Sequence, residues 1–132
     1  MPTLTKATFE TKSWDEKPLS EIEGAPRLVH VTITHDYHGE IEGEGTLEYL
    51  MVWPTEETAS FVGMERVVGR IGDRSGTFVL QHTGTLDHGI ASTSWFVVPG
   101  SGTGDLLGLR GEGGYTSGHI QPHPFDLDYD FE

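Results

Sequence analysis

Apolar and polar residues alternate along most of this chain with a period of two, the pattern of strands that bury one face and wet the other. Between residues 28 and 37, Val29, Val31, Ile33, His35 and Tyr37 share one parity, opposite His30, Thr32, Thr34 and Asp36. Over 40–53, Leu47, Tyr49, Met51 and Trp53 oppose Glu40, Glu42, Glu44 and Glu48. Over 125–131, Phe125, Leu127, Tyr129 and Phe131 alternate with Asp126, Asp128 and Asp130. The same period predicts strands over 3–14, 58–71, 77–87, 90–98 and 110–115, with 15–27 a polar connector, 72–76 a hairpin turn and Asp105 to Leu107 one helical turn. Neither face of 90–98 stands out, since Ala91, Thr93, Trp95 and Val97 oppose Ile90, Ser92, Ser94, Phe96 and Val98. Consecutive strands joined by short turns pair as an antiparallel meander, and eight strands suffice to close a barrel around side chains or one small ligand. The expected fold is all-β: a single domain forming a closed antiparallel eight-stranded meander barrel with at most one short helical turn. An open sandwich is the alternative.

Composition agrees with short strands, because 18 Gly and 7 Pro are spread through 132 residues and leave no room for long helices. The formal charge of −13 argues against nucleic acid and anionic membrane as partners, since both need clustered Lys and Arg. The absence of cysteine removes disulfides, thiolate nucleophiles and cysteine-bound metals. No apolar run approaches the ~20 residues that span a bilayer, and the first residues carry no apolar leader, so a cytoplasmic location is expected.

Charge also decides which face of 58–71 turns inward. Arg66 and Arg70 share one parity and Glu65 has the other; three isolated charges cannot all be buried cheaply. With the arginines in water, Glu65 points into the barrel. In 77–87 the threonines take the wet face, which turns Phe78, Leu80 and His82 inward. The hairpin at 72–76 makes Glu65 and His82 near-opposite neighbours.

Four ordered stretches carry a resemblance: Gly45-Thr46-Leu47-Glu48-Tyr49-Leu50, Phe61-Val62-Gly63-Met64-Glu65-Arg66-Val67-Val68-Gly69, Gly76-Thr77-Phe78-Val79-Leu80-Gln81-His82-Thr83-Gly84-Thr85, and Val97-Val98-Pro99-Gly100 onward to Gly113. Over residues 5 to 132 the chain resembles a bacterial family known as domain of unknown function 3224. That resemblance implies a closed eight-stranded barrel similar to the plant allene oxide cyclase barrel, with no established reaction or cofactor. It lends no role to His119 or His123.

The candidate catalytic pair is Glu65 and His82, a carboxylate raised by desolvation beside an imidazole that holds or shares its proton; the alternative is a structural pair of satisfied polar groups. His35 and Tyr37 end an apolar face, where they either orient a ligand oxygen or reach solvent. Tyr49, Trp53, Phe61 and Trp95, with Phe78 and Leu80, either line a pocket or fill the barrel. Arg110 is the candidate for an anionic ligand group, or else a structural ion pair. The histidines show no metal-binding spacing, so neither a metal nor another cofactor is expected, and Glu40, Glu42 and Glu44 read as a solvated acidic face. Three functions fit: a cofactor-free acid–base enzyme acting on a small apolar or partly polar molecule, by isomerisation, cyclisation or proton abstraction; a carrier of such a molecule; or an interaction protein with a filled barrel. Val62, Met64 and Val68 beside Arg66 form an outer patch suited to self-association.

Overall fold

Burial of every second side chain forces a sheet built from such strands to curl until its apolar faces meet. A computed structural model describes residues 3–4, 7–117 and 123–132 of the chain. Among these residues nine strands follow one another, β1 Thr3–Leu4, β2 Ala7–Ser20, β3 Arg27–Gly39, β4 Ile41–Trp53, β5 Thr58–Ile71, β6 Arg74–Asp87, β7 Ile90–Val97, β8 Leu109–Ser117 and β9 His123–Phe131, with a single 3-10 turn at Gly104–Leu106. All pairings are antiparallel and run in sequence order from β2 to β9. Strand β9 also pairs with β2 and β1, so the meander is a nearly closed barrel. Among the described residues the expected eight strands become nine because Thr3 and Leu4 count as a strand of their own, meeting Tyr129 and Asp128 in the register that Ala7 keeps opposite Phe125.

Two further expectations are corrected. The connector drawn over 15–27 is strand as far as Ser20. A bulge between Thr11 and Ser13 precedes it, and from there β2 pairs with β3 alone among the described residues. Its charged sequence hid it, and the same charges suit an edge strand: Lys12 and Lys17 pair with Asp36 and Asp15, and Pro18 interrupts the donor row. The hairpin turn is also tighter than 72–76. Ile71 pairs with Arg74 around the two residues Gly72 and Asp73, and Gly72 takes the positive φ of 59° that such a turn demands.

Inward residues follow the parity of the sequence. Val29, Val31, Ile33, Leu47, Tyr49, Met51, Ala59 and Phe61 fill one part of the interior. Phe9, Tyr37, Ile41, Val67, Ile71, Phe78, Leu80, Trp95, Val97, Leu109, Phe125 and Leu127 fill another, which Leu106 from the 3-10 turn caps. On β7 the inward face is Thr93, Trp95 and Val97. Val62, Met64 and Val68 stand on the outside, each about half exposed. Among the described residues no helix is long and apolar enough to cross a membrane. His119 lies outside the described residues.

Candidate functional site

Glu65 turns inward from the middle of β5 and is fully buried. Its cross-strand neighbours in the ladders are Leu47 and Leu80, neither of which offers a hydrogen bond. The imidazole partners come instead from one register step away and the Tyr37 hydroxyl from two. His35 Nδ1 lies 2.9 Å from Oε2, His82 Nε2 lies 2.9 Å from Oε1, and the Tyr37 hydroxyl donates to both oxygens at 2.8 Å. Both imidazoles are buried as deeply as the carboxylate.

Two glycines make these approaches possible. Gly45 stands between His35 and Val67 in its row. A Cβ there would collide with Glu65 Oε2 and come within 2.9 Å of its Cδ and 3.0 Å of the Tyr37 ring. Gly63 stands between Tyr49 and His82. Its missing side chain lets the Tyr49 hydroxyl reach His82 Nδ1 at 3.1 Å. A glycine inside a strand usually marks such a close approach. Because Glu65 is held by three donors and cannot swing aside, Gly45→Ala should destabilise the protein by roughly 1–3 kcal/mol through overpacking. Urea unfolding followed by tryptophan fluorescence measures this, and an unchanged midpoint would show that the carboxylate is free to move.

The donors fix the protonation pattern. Burial alone pushes the Glu65 carboxyl up, but the hydrogen bonds and charges of His35 and His82 outweigh it and hold the group down at about 2. Glu65 is therefore a carboxylate that accepts from Nδ1–H of His35, Nε2–H of His82 and the Tyr37 O–H. The Tyr49 hydroxyl lies 3.1 Å from the other ring nitrogen of His82, Nδ1. Burial raises the Tyr37 phenol well above its ordinary value, and the Glu65 charge adds to this. Tyr49 is likewise pushed well up by burial, then by Tyr115 and Glu65. Burial also raises Tyr115, against the pull of the Thr93 and Tyr49 hydroxyls beside it. At neutral pH all three phenols keep their protons.

Tyr115, on β8, was not singled out by the sequence pattern, because the alternation of 110–115 is diluted by Gly111, Gly113 and Gly114. Its hydroxyl lies beside those of Tyr49 and Thr93. Its ring meets Phe9 at 5.1 Å and Trp95 at 5.3 Å between centroids. Tyr115 shares a ladder row with Thr93, Gly84 and Phe61. These four residues line an open groove of about 750 Å³, rimmed by serines and threonines.

The remaining candidates separate cleanly. His35, Tyr37 and Tyr49 join Glu65 and His82 in one cluster. Glu65 and His82 are not directly opposite, since the tight turn pairs Gly63 with His82, yet the two side chains meet. Trp95 packs edge-on against the His82 ring at 5.1 Å, and Phe61 lies 4.6 Å from the Tyr49 ring. Phe78 and Leu80 are buried among apolar neighbours. Trp53 sits half-buried at a strand end under the Arg27 guanidinium, 5.5 Å away, and its Nε1 has no hydrogen-bond partner among the described residues. Arg110 is on the outer wall, paired with Asp130 at 3.3 Å and Glu132 at 3.6 Å, so it is not brought to the interior cluster. Among the described residues no group of three or more His, Asp or Glu side chains is placed to hold a metal ion.

Comparison with known proteins gives a family match and a structural one. The model of a family described as a protein of unknown function, DUF3224, matches residues 5–129. A crystal structure of a protein of unknown function from that family, from Shewanella oneidensis MR-1, is 28% identical and superposes with a TM-score of 0.85, covering 100% of this chain and 99% of the other. No curated protein matches.

Proposed function

We propose, for a chain that belongs to the DUF3224 family, that the barrel binds a small apolar or partly polar molecule and catalyses cofactor-free proton transfer on it, such as isomerisation, cyclisation or proton abstraction. The observation that carries this reading is the fully buried carboxylate of Glu65 at hydrogen-bond distance from two buried imidazoles. Burying a charge is expensive, and clusters of this kind concentrate at sites where protons move. Glu65 has all its lone pairs engaged and touches no solvent. It acts as the positioning residue that holds His82 in one tautomer and stabilises its imidazolium, while His82 carries the proton. The same reading takes the barrel as allene oxide cyclase-like and the protein as cytoplasmic, with the outer Val62, Met64 and Val68 patch available for self-association.

Hydrogen–deuterium exchange at the acidic carbon of a panel of aryl ketones, β-keto esters and nitroalkanes, followed by NMR, tests the proposal. The wild-type protein should exchange at least one class faster than buffer. Glu65→Gln should lose roughly 10²-fold or more in kcat with KM retained. Binding without exchange, equal in both proteins, supports a carrier. No binding by any probe supports a filled interaction barrel, a reading favoured by the two apolar clusters that pack within the interior.

A further inference from the structure

On the outer wall one row of side chains runs round the barrel from Glu48 through Met64, Gln81, Phe96 and Glu112 to Asp128. Val62, one register step along β5 from Met64, faces Leu50 across the ladder. Leu50, Val62, Met64 and Phe96 are each between 40% and 49% exposed, an apolar band on the surface. Groups of opposite charge flank the band. On one side Arg66, the next outward residue of β5, lies between Thr46 and Val79, which carry no charge. On the other, Glu112 and Asp128 stand directly opposite each other on β8 and β9, an arrangement in which like charges repel. Among the described residues none of these three has an ion-pair partner, and Arg110, two residues from Glu112, is taken by Asp130 and Glu132. Phe96, Glu112 and Asp128 border a groove of about 530 Å³ on this wall.

We infer that this face is the interface between two copies of the chain, related by a two-fold axis lying along the wall near Gln81, with Arg66 of each copy seated between Glu112 and Asp128 of the other. In a two-fold contact the same patch serves both sides, so it must be complementary to itself. An apolar band with an unpaired cation on one side and an unpaired carboxylate pair on the other meets that condition. Turning one copy over sets each cation on the other's carboxylates and brings Val62, Met64 and Phe96 against their counterparts. Met, Phe and Arg are residue types that interfaces concentrate. A guanidinium presents a planar fork of donors that two carboxylates can share, so one placed between Glu112 and Asp128 replaces their repulsion with charge-assisted hydrogen bonds. Net charge also selects this face. A chain of charge −13 repels its own copy, and association needs a surface where the local charges attract. This inference rests on the self-association named above and adds to it the contacts that carry it.

Sedimentation equilibrium measures the association, with a urea midpoint to confirm that each variant is folded. At about 100 μM the wild-type protein should have twice the 14.5 kDa mass of the chain. Arg66→Glu, and separately Glu112→Lys combined with Asp128→Lys, should each weaken dimerisation at least about 30-fold, since like charges then face each other at both ends of the contact. Lys17→Glu changes the net charge as Arg66→Glu does but lies on β2, away from this face, and should leave association within about twofold. An equimolar mixture of the two charge-reversed proteins should regain the dimer, because both of its contacts again join opposite charges. A wild-type monomer at this concentration overturns the inference together with self-association. A dimer that both reversed proteins keep overturns the contact assigned here and leaves self-association through another face. Reversed proteins that fail to associate on mixing, or a Lys17→Glu protein weakened as much as Arg66→Glu, overturn the pairing of Arg66 with Glu112 and Asp128.

Discussion

Replacement of Glu65 by leucine is expected to lower stability by about 3–5 kcal/mol, most of what a small domain has to lose. The change leaves three buried donors, Nδ1–H of His35, Nε2–H of His82 and the Tyr37 hydroxyl, without their acceptor. Each unsatisfied buried donor costs about 1–3 kcal/mol, and water cannot reach this layer to replace the carboxylate. Urea denaturation followed by tryptophan fluorescence reads the loss directly. A double-mutant cycle refines it: once Tyr37→Phe has removed one donor, Glu65→Leu should cost less than it does alone. Additive effects, or a leucine variant as stable as wild type, would mean that the donors and the carboxylate do not depend on one another.

Acid should produce the second large effect, with a definite sign. Glu65 titrates at about 2 in the folded protein against an ordinary value of 4.5. A carboxyl depressed by folding adds stability that is fully present above its unfolded value and is lost as the pH falls through its folded one. The window is therefore pH 4.5 down to about 2, and the gap corresponds to about 3 kcal/mol. Wild-type stability should fall steeply across this window. Glu65→Gln, which has no proton to take up there, should lack this component and show a flatter profile. Parallel acid profiles for the two proteins would show that Glu65 contributes no linkage.

The inward turn of Glu65 and His82 was legible because strand parity is a binary choice and Arg66 and Arg70 decide it. What parity cannot supply is register. The Glu65–His82 contact was inferred from a five-residue turn, whereas the two-residue turn at Gly72 and Asp73 sets Leu80 opposite Glu65 and brings His82 in diagonally. The sockets at Gly45 and Gly63 were readable in principle, since both are glycines on the inward parity of a strand interior. Tyr115 was missed for a different reason. A strand with three glycines has almost no side-chain alternation to read, and the hydroxyl contact with Tyr49 spans the interior between strands far apart in sequence. The extension of β2 beyond residue 14 was hidden because an edge strand exposed on both faces carries no apolar period. Arg110 followed its own parity outward to Asp130 and Glu132.

Everything proposed for the interior depends on Glu65 being ionised there. The carboxyl carbon of Glu65, selectively labelled with carbon-13 and followed by NMR from pH 7 downward, reports this without reference to any substrate. Its chemical shift should hold the carboxylate value through pH 4 and change only near pH 2 or on acid unfolding. A transition at or above the ordinary 4.5 would contradict the account, because a carboxyl that takes up its proton so readily is not held by His35, His82 and Tyr37.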